Sequence, residues 1–177
     1  MEDYTFLFDI GIPPIFLLIA LFFIGLLCIL LTIRIKNRND LIRSISIVLL
    51  IAYSAFVFSS TVVFRPQCLE ITIQWIPFYS YCRALFGESH LLLENFLNIV
   101  LFIPLGVFLF FSMKDRGLLL SVLFAFSLSL IIESLQFILR KGECEVDDLI
   151  HNTLGCIIGF MLCKIINRKL LHKDDVM

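Results

Sequence analysis

Long uninterrupted apolar runs, separated by short polar stretches, organise this chain. Five such runs lie at about 13–33, 41–64, 91–112, 117–139 and 149–166, each about 18 to 24 residues long. At 1.5 Å of rise per residue, that length carries a helix across a ~30 Å hydrocarbon layer. The pattern predicts an all-α, polytopic bundle of about five transmembrane helices, the last of them the shortest. The first run does not read as a cleavable signal peptide: Glu2, Asp3 and Asp9 precede it without any Lys or Arg, and it is too long. No repeat, low-complexity tract or soluble linker divides the sequence, so 1–177 reads as one transmembrane domain.

Composition supports the same class. Hydrophobic residues make up 60% of the 177 and charged residues 16%, with a mean hydropathy of +1.00. A soluble domain is nearer 45–50% apolar and about a quarter charged, so lipid must cover much of this surface. The net charge of -1 comes with no basic face, which excludes a nucleic-acid binder.

The positions of Lys and Arg predict the orientation. Arg34, Lys36, Arg38 and Arg43 follow the first run, Lys114 and Arg116 follow the third, and Lys164, Arg168, Lys169 and Lys173 close the chain. The alternate loops hold only Arg65, Arg83, Arg140 and Lys141. Ten against four predicts the N-terminus outside and the C-terminus in the cytoplasm.

Ionisable groups inside a span are costly and mark functional sites by default. In the fourth run Glu133, Gln136 and Arg140 share a face at spacings of three and four. Glu133 lies about six residues from the outer end, roughly 9 Å deep. The third run carries Glu94, Asn95 and Asn98, with Asn98 at nearly the same depth. The fifth opens with Asp147 and Asp148, and Asn152 follows Asp148 on one face. The spacing predicts that Asn98, Glu133, Gln136, Asp148 and Asn152 converge on one outward cavity, with Glu133 the deepest carboxylate. Taken singly, each has a plainer reading: first-turn carboxylates complement a helix dipole, and buried amides bind helices together. An acid as deep as Glu133 needs a partner.

The longest loop, about 65–90, contains Arg65-Pro66, Trp75-Ile76-Pro77-Phe78, Tyr79 and Tyr81. It reads as an aromatic belt on the membrane surface or as a lid over the polar cluster. In the second case Arg65, Arg83 and Arg140 would offer guanidinium forks to an anionic head group. Pro104 and Gly106 predict a local kink. Gly155 and Gly159, spaced as GxxxG, suit either internal packing or dimerisation. Cys28, Cys156 and Cys163 fall in spans; Cys68, Cys82 and Cys144 face outward, where one pair, such as Cys68 with Cys82, has the chance to form a disulfide. His90, His151 and His172 complete no zinc spacing, and His151 reads as solvent-side or interfacial. No hydrolase, zinc-protease or phosphate-loop motif occurs, and no cofactor is predicted.

With these residues in place, the chain resembles the VanZ-like family, named for a teicoplanin-resistance protein. The resemblance covers about 64–160 and leaves an extra N-terminal helix, about 13–35, outside it. It rests on Ile76-Pro77-Phe78, then Asn98-Ile99-Val100-Leu101-Phe102-Ile103-Pro104-Leu105-Gly106. Glu133-Ser134-Leu135-Gln136 follows, then Glu145-Val146-Asp147-Asp148-Leu149-Ile150-His151-Asn152-Thr153-Leu154-Gly155. The family's motif positions fall on Asn98, Pro104, Gly106, Glu133, Gln136, Asp148, Asn152 and Gly155. The chain departs from the pattern at Trp75-Ile76, where many members have Asn-Leu, and at Glu145, where many have Asp.

The resemblance implies a multi-pass protein of a bacterial plasma membrane that lowers susceptibility to teicoplanin-type glycopeptides. Recognition or alteration of an outer-leaflet component, such as a lipid-linked wall precursor or the glycopeptide itself, would do this. The binding residues expected are Asn98, Gln136 and Asn152 of the polar cluster, with Arg65 and Arg140 from the outer-loop reading, amid membrane lipids. Two alternatives stay open: an enzyme using Glu133 and Asp148 as acid and base on an envelope lipid or glycan, and a non-catalytic accessory bundle. A homo-oligomer is compatible with each.

Overall fold

A computed structural model describes residues 37–67, 72–113 and 117–174, with side chains to 168. The first apolar run lies outside the described residues. In chain order the elements are α1 (Arg38–Phe58), β1 (Ile73–Gln74), α2 (Tyr79–Leu85), α3 (His90–Met113), α4 (Leu118–Ile138), β2 (Cys144–Glu145) and α5 (Val146–Asp174). Among the described residues, four helices are long and apolar enough to cross a membrane: Arg38–Val63, His90–Met113, Leu118–Ile138 and Val146–Arg168. They correspond to the second to fifth runs. The protein is an all-α membrane helix bundle, and the shortest run in sequence belongs to its longest helix, because α5 recruits polar residues at both ends.

Helix α1 starts where Asn37 accepts a hydrogen bond from the Asp40 backbone N–H at 2.9 Å, satisfying one of the helix's free donors. It ends in a π-helical turn, Ser59–Val63. Pro66 brings no N–H to the fifth position beyond Thr61, so the Thr61 carbonyl is left for another donor. Gln136 of α4 supplies it, Nε2 to the Thr61 carbonyl oxygen at 2.9 Å. Helix α3 runs through Pro104, from His90 to Met113. Beside it, the Tyr53 hydroxyl donates to the Leu101 carbonyl at 3.0 Å.

Helices α3 and α5 form the tightest pair. A Cβ at Gly155 would lie 2.1 Å from the Ile99 carbonyl oxygen, one at Gly159 2.0 Å from that of Ile103, and one at Gly106 2.0 Å from that of Cys156. The GxxxG spacing therefore serves close backbone approach inside one chain. Around this seam Val57, Phe102, Leu105, Leu109, Ala125, Ile132 and Cys156 form the apolar core. Residues such as Leu93, Leu119 and Ile138 stand outward, more than half exposed, as a lipid-facing surface does.

Strands β1 and β2 pair in parallel, Ile73 with Cys144 and Gln74 with Glu145. Short as it is, this ladder brings the loop after α1 and the loop after α4 to one end of the bundle. The polar cluster lies at that end.

Candidate functional site

The first turn of α5 carries two acids with different work. Asp147 is 2% exposed, and its carboxylate accepts from the Phe78 backbone N–H, the Ser80 backbone N–H at 2.9 Å and the Ser80 hydroxyl. Asn95 of α3 then donates to the Ser80 oxygen at 2.8 Å. Pro77 has no N–H and Phe78 takes a left-handed conformation with φ 63°, so the chain turns sharply into α2 with its free donors aimed at one carboxylate. One turn further along α5, His151 is also 2% exposed, with Nε2 2.7 Å from the Tyr81 hydroxyl of α2. Segment 75–86 is thus fixed over α5 at two points. The solvent-side reading of His151 is corrected: Tyr81 covers it.

Asp148 faces the other way, into a cleft of about 490 Å³ between the loops and the first turns of α3 and α5. Asn98 of α3 donates to its Oδ1 at 2.7 Å. Behind it Glu133 is 1% exposed, and its Oε2 accepts from the Glu145 backbone N–H at 3.1 Å. The Glu133 carboxyl lies beside that of Asp148, and the charge of Arg65 reaches both. Arg65 packs on Gly142, where a Cβ would stand 2.9 Å from the guanidinium carbon. Gly142 itself has φ 158°, a conformation that further favours glycine.

The cleft's walls carry Glu94, Glu143, Glu145 and Asp148 against Arg65 and Arg83. Arg83 is committed: it grips Glu88 through Nε at 3.1 Å and Nη2 at 2.5 Å and reaches Glu143 at 3.5 Å. That grip holds the Glu88 carboxyl below its ordinary range. Burial, a hydrogen bond with the Glu143 side chain and the negative charges of Asp148, Glu143 and Asp147 push the Glu145 carboxyl up to about 8. Burial and its acidic neighbours Glu133, Asp148 and Glu145 raise the Cys144 thiol as well. Cys82 and Cys144 are free thiols; the Cys68–Cys82 pairing involves Cys68, which lies outside the described residues.

Similarity to known proteins places the sequence in a family. The model of the VanZ/LLP1 family matches residues 45–167. The chain belongs to the VanZ/LLP1 family. Protein VanZ of Enterococcus faecium is 36% identical over 76 residues, which cover 43% of this chain and 47% of that relative. The aligned part thus spans about half the relative's length. No solved structure matches the chain. The VanZ/LLP1 match spans every residue of the cleft, from Arg65 to Asp148.

Of the residues predicted from sequence, Asn98, Asp148 and Arg65 line the cleft and Glu133 lies directly behind it. Gln136 and Asn152 do not open onto it. Gln136 is spent on Thr61, and Asn152 donates to Ser129 at 2.8 Å, so both join helices below the cleft. Arg140 is exposed on the left-handed turn closing α4, at φ 56°, and stands off the cleft. Its neighbour Lys141 instead donates to the Val63 carbonyl at 2.6 Å. Three guanidinium forks for an anionic head group therefore reduce to one, Arg65. Sequence reasoning missed the anchoring role of Asp147, whose partners are 67 and 69 residues away. Among the described residues, no three His, Cys, Asp or Glu side chains form a metal site.

Proposed function

We propose that this VanZ-like membrane protein lowers susceptibility to teicoplanin-type glycopeptides by binding an outer-leaflet envelope component in the cleft. The observation that carries the reading is the cleft itself: about 490 Å³, with Asp148 held by Asn98 and backed by Glu133. Its volume is that of a small-molecule site. The Lys and Arg bias supports an outward orientation for the end that holds it.

The wall charges narrow the ligand. With Glu143 paired to Arg83 and Glu145 largely protonated near neutral pH, Glu94 and Asp148 against one uncommitted guanidinium suit a group with an ammonium or several hydroxyls, beside a single anionic moiety for Arg65. An amine-bearing wall precursor or an amine-bearing lipid head group has that chemistry, whereas a plain anionic head group does not. A catalytic reading draws on a different observation, the contact between the Glu133 and Asp148 carboxyls. In that reading one acts as acid and the other as base on an envelope lipid or glycan.

Native mass spectrometry of the chain released from cell membranes tests the binding reading. It predicts a co-purified species with an amine, retained by the wild type and lost from Asp148→Asn. A bound species without an amine, or equal retention by the variant, contradicts it. Product formation from a retained species by wild type alone would transfer the case to the catalytic reading.

A further inference from the structure

Segment 75–86 turns a strongly apolar face away from the bundle. Trp75 is 70% exposed, Ile76 61%, Phe78 55%, Leu85 87% and Phe86 91%. Its inward side is polar and fully engaged: Asp147 takes the backbone N–H groups of Phe78 and Ser80, and His151 meets Tyr81. Between Glu70 and Arg83 the sequence has no Asp, Glu, Lys, Arg or His, and Arg83 is turned to Glu88 and Glu143 at the cleft.

The apolar surface continues into a membrane span. Beyond the turn after Phe86, α3 begins, and Leu92, Leu93, Phe96 and Leu97 of its first turns are exposed as well. These belong to His90–Met113, which is long and apolar enough to cross the bilayer. A segment that must enter lipid needs its backbone donors satisfied from within the protein, and that is what Asp147 does for the turn at Phe78.

We infer that residues 75–86 are an interfacial hook: Trp75, Ile76, Phe78, Leu85 and Phe86 enter the lipid of the leaflet at the cleft end, and the bilayer is what covers this face. Charge-free aromatic and aliphatic side chains at a span's end are the composition that the head-group boundary accepts. The hook is independent of what the cleft binds. It rests on exposure, on continuity with α3 and on the anchoring of its inner side.

The chain has one tryptophan, Trp75, so its fluorescence reports this segment alone. The full chain is reconstituted into phosphatidylcholine–phosphatidylglycerol vesicles, with bromine on the upper or the terminal part of the acyl chain. The hook predicts blue-shifted emission that is lost most to upper-chain bromine, less to terminal bromine and little to aqueous acrylamide. It also predicts that the double variant Leu85→Ser, Phe86→Ser stays folded and shifts the emission to the red. Strong quenching by acrylamide with none by bromolipid would overturn it, since the face would then lie in water. Protection from both quenchers would overturn it too, because a protein surface, such as a second copy of the chain, would be the cover.

Discussion

Asp147 and Asp148 are adjacent in sequence and opposite in role, which illustrates what one-residue rotation about a helix does: about 100° of turn separates their side chains. Asp147 is consumed by three donors from the turn into α2, while Asp148 faces the cleft with only Asn98 donating to it among the hydrogen bonds described. Asp147→Asn keeps one acceptor oxygen and sets an amide against N–H donors. It should cost about 1–3 kcal/mol, the range for a buried hydrogen bond to a charged group left unsatisfied. Thermal unfolding in detergent measures this, and an unchanged midpoint would remove Asp147 as the anchor of the hook. Glu145 gives a pH signature. Its folded value of about 8 lies above the ordinary 4.5, so the folded state binds the extra proton and stability falls as pH rises through that window. Glu145→Gln does not titrate, so its thermal advantage over wild type should grow from about pH 5 and level off above about pH 8. A difference independent of pH would contradict the burial of this carboxyl.

At the scale of elements, the runs were legible because a lipid-spanning helix has to be apolar along its whole length. The depth argument likewise singled out Glu133, since an acid inside a run stands out without knowledge of its partners. What the sequence could not convey was rotation and pairing. Gln136 and Asn152 share a face with the acids, but they are buried between helices, bonded to Thr61 and Ser129. The π-helical turn that frees the Thr61 carbonyl left only Pro66 as a trace. The glycine spacing was visible, but its use became clear only from backbone distances of 2.0–2.1 Å for a hypothetical Cβ. Gly159→Leu should therefore push α5 off Ile103. The expected cost is about 1–3 kcal/mol or more, the range for overpacking, with no change in oligomeric state. A variant of unchanged stability that loses a dimer in light scattering would show the glycines facing another chain instead.

For the whole molecule, two loops far apart in sequence close over the polar end of a four-helix seam. The lateral ladder of Ile73 with Cys144 and Gln74 with Glu145 makes them one structure. It sets Arg65, packed on Gly142, across from Asp148 and Glu133. The family resemblance read from the motifs and the VanZ/LLP1 match over residues 45–167 agree on the family. Neither could reveal that Arg140 turns away or that the acids outnumber the free guanidinium, because charge balance in a cleft depends on which side chains already have partners. The claim that this cleft is the working site is tested most directly at Asp148. Asp148→Asn keeps an oxygen to accept from Asn98 and removes the negative charge, so the bundle should fold and reach the membrane as before. The measurement is teicoplanin susceptibility of cells carrying equal amounts of folded wild type or Asp148→Asn. The account predicts that the variant leaves cells as susceptible as those without the protein; a folded variant with full resistance would contradict it.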